Sequence, residues 1–124
     1  MTLIPKEIAN FFTAMQAGRA GAEEMAAVIA EDAVYIEPFS GQVQRHQGKP
    51  AIMAAMARGW DYPLPDMRIR IDHVESSGAD IRVRWTCLSP GLPGGRGQGV
   101  NRYRMQADGR IAELETTLEM GEAG

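Results

Sequence analysis

The sequence predicts an α+β domain, and three observations predict it. Apolar residues recur at helical spacing in three segments of the first half, and they alternate residue by residue in four segments of the second half. Clusters of glycine, proline and serine punctuate the boundaries. The 124 residues suit one domain, 1–124, able to bury about two-thirds of the surface its unfolded chain exposes. Helices segregated onto one face of an antiparallel sheet let both patterns share a core.

Within residues 4–17, Ile8, Phe11, Phe12 and Met15 fall at three- and four-residue steps, with Pro5 where a first helical turn tolerates it. After a break at residues 18–21, Met25, Val28 and Ile29 repeat the helical period, and Glu23 and Glu24 oppose the helix dipole in the first turn. Residues 33–37 are rich in β-branched and aromatic types and stop at Pro38, which reads as a strand. Residues 41–48 return as a brief hairpin. A third helix is expected from about residue 50 to 58, with Ile52, Met53 and Met56 on its apolar side and Gly59 just past its end. Trp60, Pro63 and Pro65 then form the loop out.

From there the period becomes two, the signature of an antiparallel meander. Met67, Ile69 and Ile71 alternate with Arg68, Arg70 and Asp72; past a turn at residues 76–78, Ile81, Val83, Trp85 and Cys87 alternate with Arg82, Arg84 and Thr86. A glycine-rich loop over residues 89–97 leads to Asn101, Tyr103 and Met105 alternating with Arg102, Arg104 and Gln106. Asp108-Gly109 is a tight-turn dipeptide, after which Ala112, Leu114, Thr116 and Leu118 alternate with Glu113, Glu115 and Thr117.

Composition narrows the classes of function. A net charge of −3 gives no bulk reason to expect nucleic acid or an anionic membrane as partner, so a small neutral or weakly charged ligand fits better. One cysteine, Cys87, excludes an intramolecular disulfide and a Cys-rich metal site, and a reducing, cytoplasmic location is expected. No stretch of about 18 apolar residues runs uninterrupted.

Residues 30–56, AEDAVYIEPFSGQVQRHQGKPAIMAAM, hold an acidic pair, Glu31-Asp32, at the expected end of the second helix. A strand follows, ending in Glu37 before Pro38, and Gly48 opens the third helix. Residues 99–120, GVNRYRMQADGRIAELETTLEM, form the last hairpin. In these features and in element order the chain resembles the nuclear transport factor 2-like superfamily, in its SnoaL-like and ketosteroid isomerase-like branch, over nearly its whole length. The resemblance implies a curved mixed or antiparallel sheet wrapped around three amino-terminal helices, forming a cone with an internal pocket for a small, largely apolar molecule. It implies neither cofactor nor metal. It leaves the activity open, since the fold hosts isomerases, cyclases, dehydratases, epoxide hydrolases and non-catalytic binders.

Carried over from ketosteroid isomerase, the general-base position falls on Glu37, the acidic oxyanion donor on Asn101, and the oxyanion tyrosine on or near Phe12. The base is kept in kind, one donor becomes an amide and the other is lost. The SnoaL-type cyclases also use an acid near the Asn101 position, and no Asp-Arg-Asp set of the limonene epoxide hydrolase kind is present. The pocket lining implied is Phe12, Met15, Tyr35, Met56, Trp60, Val83, Trp85, Tyr103, Leu114 and Thr116.

Each candidate has a plainer reading beside the functional one. Glu37 shares a face with Tyr35 and could remove a proton from a carbon acid, or it could cap its loop or pair with an arginine. Asn101 could donate an amide N–H to a developing oxyanion, with Tyr103 as second donor, or both could complete hydrogen bonds within the wall. His73 continues the inward register of Met67, Ile69 and Ile71; it either shuttles a proton at the pocket mouth or ends a strand. His46, in a polar hairpin, reads as a surface residue. Two lone histidines without a carboxylate at ligand spacing predict no metal site. Cys87 reads as an inert core residue. The stretch SPGLPGGRGQG lacks a Gly-Lys-Ser/Thr ending and lies between strands, so it is a loop near the mouth and not a phosphate cradle.

The outward faces carry Arg68, Arg70, Arg82, Arg84, Arg102 and Arg104 against Asp72, Glu113 and Glu115. Such interleaved charge fits a solvated face or, by the resemblance, a homodimer interface, and sits poorly with nucleic acid. Three functions follow. One is a cofactor-free isomerase- or cyclase-like enzyme acting on an apolar carbonyl compound. Another is a binder of a small apolar molecule, and the last is a dimerisation domain whose interior is filled by its own side chains.

Overall fold

The computed structural model describes residues 4–39 and 41–119; residues 1–3, Ser40 and 120–124, including the Met120 of the last quoted segment, lie outside the described residues. Ile8, Phe11 and Phe12 share one face of α1 (Lys6–Ala17) and are all buried, which is what their spacing requires. Gly18 ends that helix at φ 66°, its N–H bonded to the Ala14 and Met15 carbonyls, and one 3₁₀ turn (Gly18–Gly21) leads into α2 (Ala22–Val28).

Ile29 does not continue α2 as its spacing predicted. Its backbone is already extended, and β1 runs Ile29–Glu37. Glu31 and Asp32 therefore lie within the strand, where pairing with its neighbour is interrupted between Ile29 and Val34. A β-branched residue directly after Val28 favours the strand over another helical turn. The hairpin returns as β2 (Gln44–Gln47), and α3 (Lys49–Trp60) follows, extending past Gly59 to hold Trp60 as its last residue. Gly48 is the N-cap of α3 at φ 89°, with its N–H 2.7 Å from the Ala33 carbonyl, a left-handed position that suits glycine.

The meander comprises β3 (Arg68–Ser77), β4 (Asp80–Leu88), β5 (Arg96–Met105) and β6 (Ile111–Glu119). β5 begins five residues before Asn101, inside what the glycines of residues 94–99 present as a loop. The six strands lie in the order β2-β1-β6-β5-β4-β3, antiparallel except for the parallel β1·β6 pair, so the sheet is mixed.

The sheet is not a cone. It stays open, with β2 and β3 as edges at opposite ends and no pairing between them among the described residues. β2 is four residues long, too short to carry the sheet round on itself, and the helices fill the inner face instead. Ile8, Phe11, Met25 and Ile52 from the helices and Val83, Tyr103 and Ile111 from the sheet are at most 2 % exposed. Each such side chain stabilises the fold by about 1.5–3 kcal/mol relative to exposure. The space left among Ile29, Ala33, Val34, Tyr35, Ile52, Ile111 and Leu114 is about 10 Å³, the room of one water at most.

Candidate functional site

Strand register sets out a polar row on the inner face. Asn101 of β5 stands opposite Thr116 of β6 and Val83 of β4; the parallel pairing Ile36↔Glu115, continued one residue, brings Glu37 of β1 beside Thr116. The next row holds His46, Tyr35, Leu114, Tyr103 and Ile81, paired in that order across five strands. The polar members of both rows are buried except His46, which is part-buried, and polar groups so placed need partners.

They have them. Asn101 Oδ1 accepts from Trp85 Nε1 at 3.0 Å and from Thr116 Oγ1 at 2.8 Å, while Asn101 Nδ2 donates to the Tyr103 hydroxyl at 2.9 Å. Thr116, whose hydroxyl donates to Asn101, is also hydrogen-bonded to the Tyr35 hydroxyl. Burial pushes the Tyr35 phenol well above its ordinary range, with the Glu37 charge adding and the Thr116 bond opposing. Tyr103 is raised likewise, by burial first and partly offset by the Asn101 amide. The Tyr103 hydroxyl accepts from Asn101 and shows no acceptor for its own proton among the described residues, which leaves it one unspent donor in a dry site.

Glu37 is 8 % exposed. Its Oε1 accepts the Phe39 N–H at 2.7 Å, and its Oε2 lies 2.9 Å from His46 Nε2. His46 is thus no surface residue: its side chain is 11 % exposed and its ring lies 5.8 Å from that of Tyr35. The strand pairing reveals it, because His46 stands opposite Tyr35 and so faces the way Tyr35 and Glu37 face.

His73 is not brought to this cluster. β3 carries a bulge between Ile71, opposite Trp85, and His73, opposite Arg84, so Asp72 is the extra residue and His73 turns outward. Its side chain is 64 % exposed, 3.7 Å from Glu75, and Val74 takes the inward place. Asp72 accepts from Thr86 Oγ1 at 2.5 Å and Arg70 Nε at 2.7 Å, and these bonds, Thr86 first, lower its carboxyl.

Phe12, Met56, Val83 and Leu114 are buried in the core around the two rows, and Phe12 packs edge-on to Tyr103 with centroids 6.5 Å apart. Met15 and Trp60 lie half-buried at its margin. An open depression of about 520 Å³ between the α3–β3 loop and the β4–β5 connection is lined by Asp66, Met67, Arg68, Leu88, Ser89, Pro90 and Gly95, none of them among the predicted site residues. Cys87 is buried and its thiol raised by that burial, as an inert core residue should be. Among the described residues no cluster of three potential metal ligands occurs, and no helix is long and apolar enough to cross a membrane.

The SnoaL-like domain, as a family model, matches residues 8–114, which hold every member of the two polar rows except Thr116. The chain belongs to that family. The fold of this SnoaL-like domain is the one seen in nuclear transport factor 2-like and ketosteroid isomerase-like structures. It is similar to a candidate polyketide cyclase from Sinorhizobium meliloti, with 22 % identity, coverage of 92 % of this chain and 95 % of that one, and a TM-score of 0.75. A candidate ketosteroid isomerase from Kribbella flavida shows 18 % identity, coverage of 97 % and 80 %, and a TM-score of 0.73. A protein of ketosteroid isomerase-like fold from Catenulispora acidiphila, in complex with trimethylamine, shows 13 % identity, coverage of 95 % and 88 %, and a TM-score of 0.73. At these identities the likeness is one of fold. No curated protein matches the SnoaL-like chain.

Proposed function

We propose that the chain binds a small, largely apolar carbonyl compound against the inner sheet face and moves a proton on it without a cofactor, as an isomerase or cyclase would. The observation that carries this reading is the Glu37 carboxylate, buried at one end of the polar row and held by the Phe39 N–H and His46 Nε2. Those two bonds take one lone pair on each oxygen and leave the others to accept a proton. The C–H bond next to the carbonyl breaks, an O–H bond forms on Glu37, and the electron pair moves to the carbonyl oxygen. Tyr103, with its unspent O–H and Asn101 behind it, is the donor for that oxyanion, in place of the donor missing at Phe12. Room for the ligand comes from Met56, with Met53 and Met15 at the margin, since unbranched thioethers repack at low cost.

A second reading, a non-catalytic ligand-binding or dimerisation domain, is favoured by the close filling around Tyr35, Ile52 and Leu114, where about 10 Å³ is left, and by the three hydrogen bonds already made by Asn101. The outer sheet face, where Arg102 meets Glu115, Arg84 meets Glu119 and Arg104 meets Asp80, is the proposed homodimer surface.

Incubation of the protein with 2-tetralone in D₂O, followed by NMR, tests the leading reading. Exchange at the carbon next to the carbonyl well above the buffer rate supports it. Quenching of tryptophan fluorescence by 2-tetralone without exchange supports the binding reading, and neither effect contradicts both ligand readings.

A further inference from the structure

His46 stands in an unusual place for a histidine. β2 is a four-residue edge strand whose other members, Gln44, Arg45 and Gln47, are exposed, yet the His46 side chain is withdrawn to 11 % exposure beside a Glu37 side chain of 10 %. An imidazole and a carboxylate withdrawn from water together must satisfy each other. Their geometry does so: Nε2 lies 2.9 Å from Oε2, and the ring is braced by the buried Tyr35, whose centroid is 5.8 Å away at an interplanar angle of 37°. The second carboxylate oxygen is fixed by the Phe39 N–H at 2.7 Å, so the plane of the carboxylate is set by two donors from opposite sides of the hairpin.

We infer that His46 is the positioning residue of Glu37, its Nε2–H holding the carboxylate aimed along the polar row toward Thr116 and Asn101; this rests on the reading of Glu37 as the base. An ionised carboxylate only accepts hydrogen bonds, so the imidazole must carry its proton on Nε2. The hairpin supplies the rest. Register places Tyr35 opposite His46 and Glu37 opposite Gln44, so the histidine reaches the carboxylate diagonally, two pairs back from the strand end. A base at the last residue of a strand, next to Pro38 and an exposed Phe39, gains a fixed direction from such a brace, where the end of the strand alone would leave it free to rotate.

Two-bond ¹H–¹⁵N correlation spectra of the labelled full chain at pH 8 test the pairing without any substrate. The expected result is a proton on Nε2 of His46 in the wild type and a changed His46 nitrogen pattern in Glu37→Gln, with the exposed His73 unaffected as an internal control. A bare Nε2, or a His46 signal indifferent to Glu37→Gln, overturns the inference. The positioning role is read from α-proton exchange of 2-tetralone. His46→Ala is expected to lower the exchange rate at least tenfold while the Kd for 2-tetralone stays within twofold, and His46→Gln, whose Nε2 can occupy the same place, is expected to restore most of the rate. Equal rates in all three proteins, or equal loss in both variants with native spectra, overturn it. If the wild type shows no exchange, the proposed function fails, while the Nε2 measurement still decides the pairing by itself.

Discussion

His46 Nε2 and Glu37 Oε2 lie 2.9 Å apart, joined diagonally across the β1–β2 hairpin. This pair ties the site to the fold, because it forms only if the hairpin keeps its register. A slip of one residue would turn His46 to the outer face and leave Glu37 buried with the Phe39 N–H alone. The remainder of the polar row is bonded through Asn101, and the two halves meet at Thr116 and Tyr35.

Asn101→Leu removes the centre of that row. Trp85 Nε1, Thr116 Oγ1 and the Tyr103 hydroxyl each lose a partner inside the core, and buried donors and acceptors left unmade cost roughly 1–3 kcal/mol apiece. With leucine returning some apolar burial, the net loss of stability expected from chemical denaturation is about 3 kcal/mol. A loss below about 1 kcal/mol would show that the row contributes little.

Gly99→Ala tests how closely the Trp85 ring is seated. A Cβ at this position would stand 2.4 Å from Trp85 Cζ2 and 2.9 Å from the Thr117 carbonyl oxygen, so the ring must move. Overpacking of this kind costs about 1–3 kcal/mol. The indole would also lose its 3.0 Å bond to Asn101, visible as a shifted Trp85 indole N–H resonance.

Some of this was legible in the sequence and some was not. Alternation placed Glu37, Tyr35, Asn101, Tyr103 and Thr116 on one face correctly, because a period of two survives wherever a strand is regular. It misplaced His73, since the extra residue at Asp72 reverses the phase and nothing in RIRIDHVESS marks a bulge. His46 was hidden by polar neighbours that say loop until the pairing with Tyr35 is known. The cone failed for a different reason: curvature and closure are properties of how strands end and pair across the whole sheet, and no local pattern carries them.

Alkaline pH should destabilise the fold in a defined window. Tyr35 and Tyr103 are both raised above the ordinary phenol range, chiefly by burial, so the folded state holds protons that the unfolded chain releases. Their contribution is fully present below about pH 10, the unfolded phenol value, and is lost as pH climbs from there toward the folded values. Denaturation midpoints should fall above about pH 10, and absorbance at 295 nm should show two of the three tyrosines ionising only with unfolding. Three independent native-state phenolates would contradict this.

The outer face should support self-association. Reversing charge with Arg102→Glu, against Glu115 on the neighbouring strand, is expected to convert a particle of twice the chain mass to one of single mass in light scattering. A wild-type protein that is monomeric at high concentration contradicts the dimer.

Glu37 is the proposed base. The rate of α-proton exchange of 2-tetralone in D₂O, wild type against Glu37→Gln, tests it most directly, because glutamine keeps the shape and the Phe39 contact but cannot take a proton. The expected outcome is a fall of about 10²–10⁴-fold with affinity for 2-tetralone nearly unchanged. An exchange rate that survives the substitution would contradict the account.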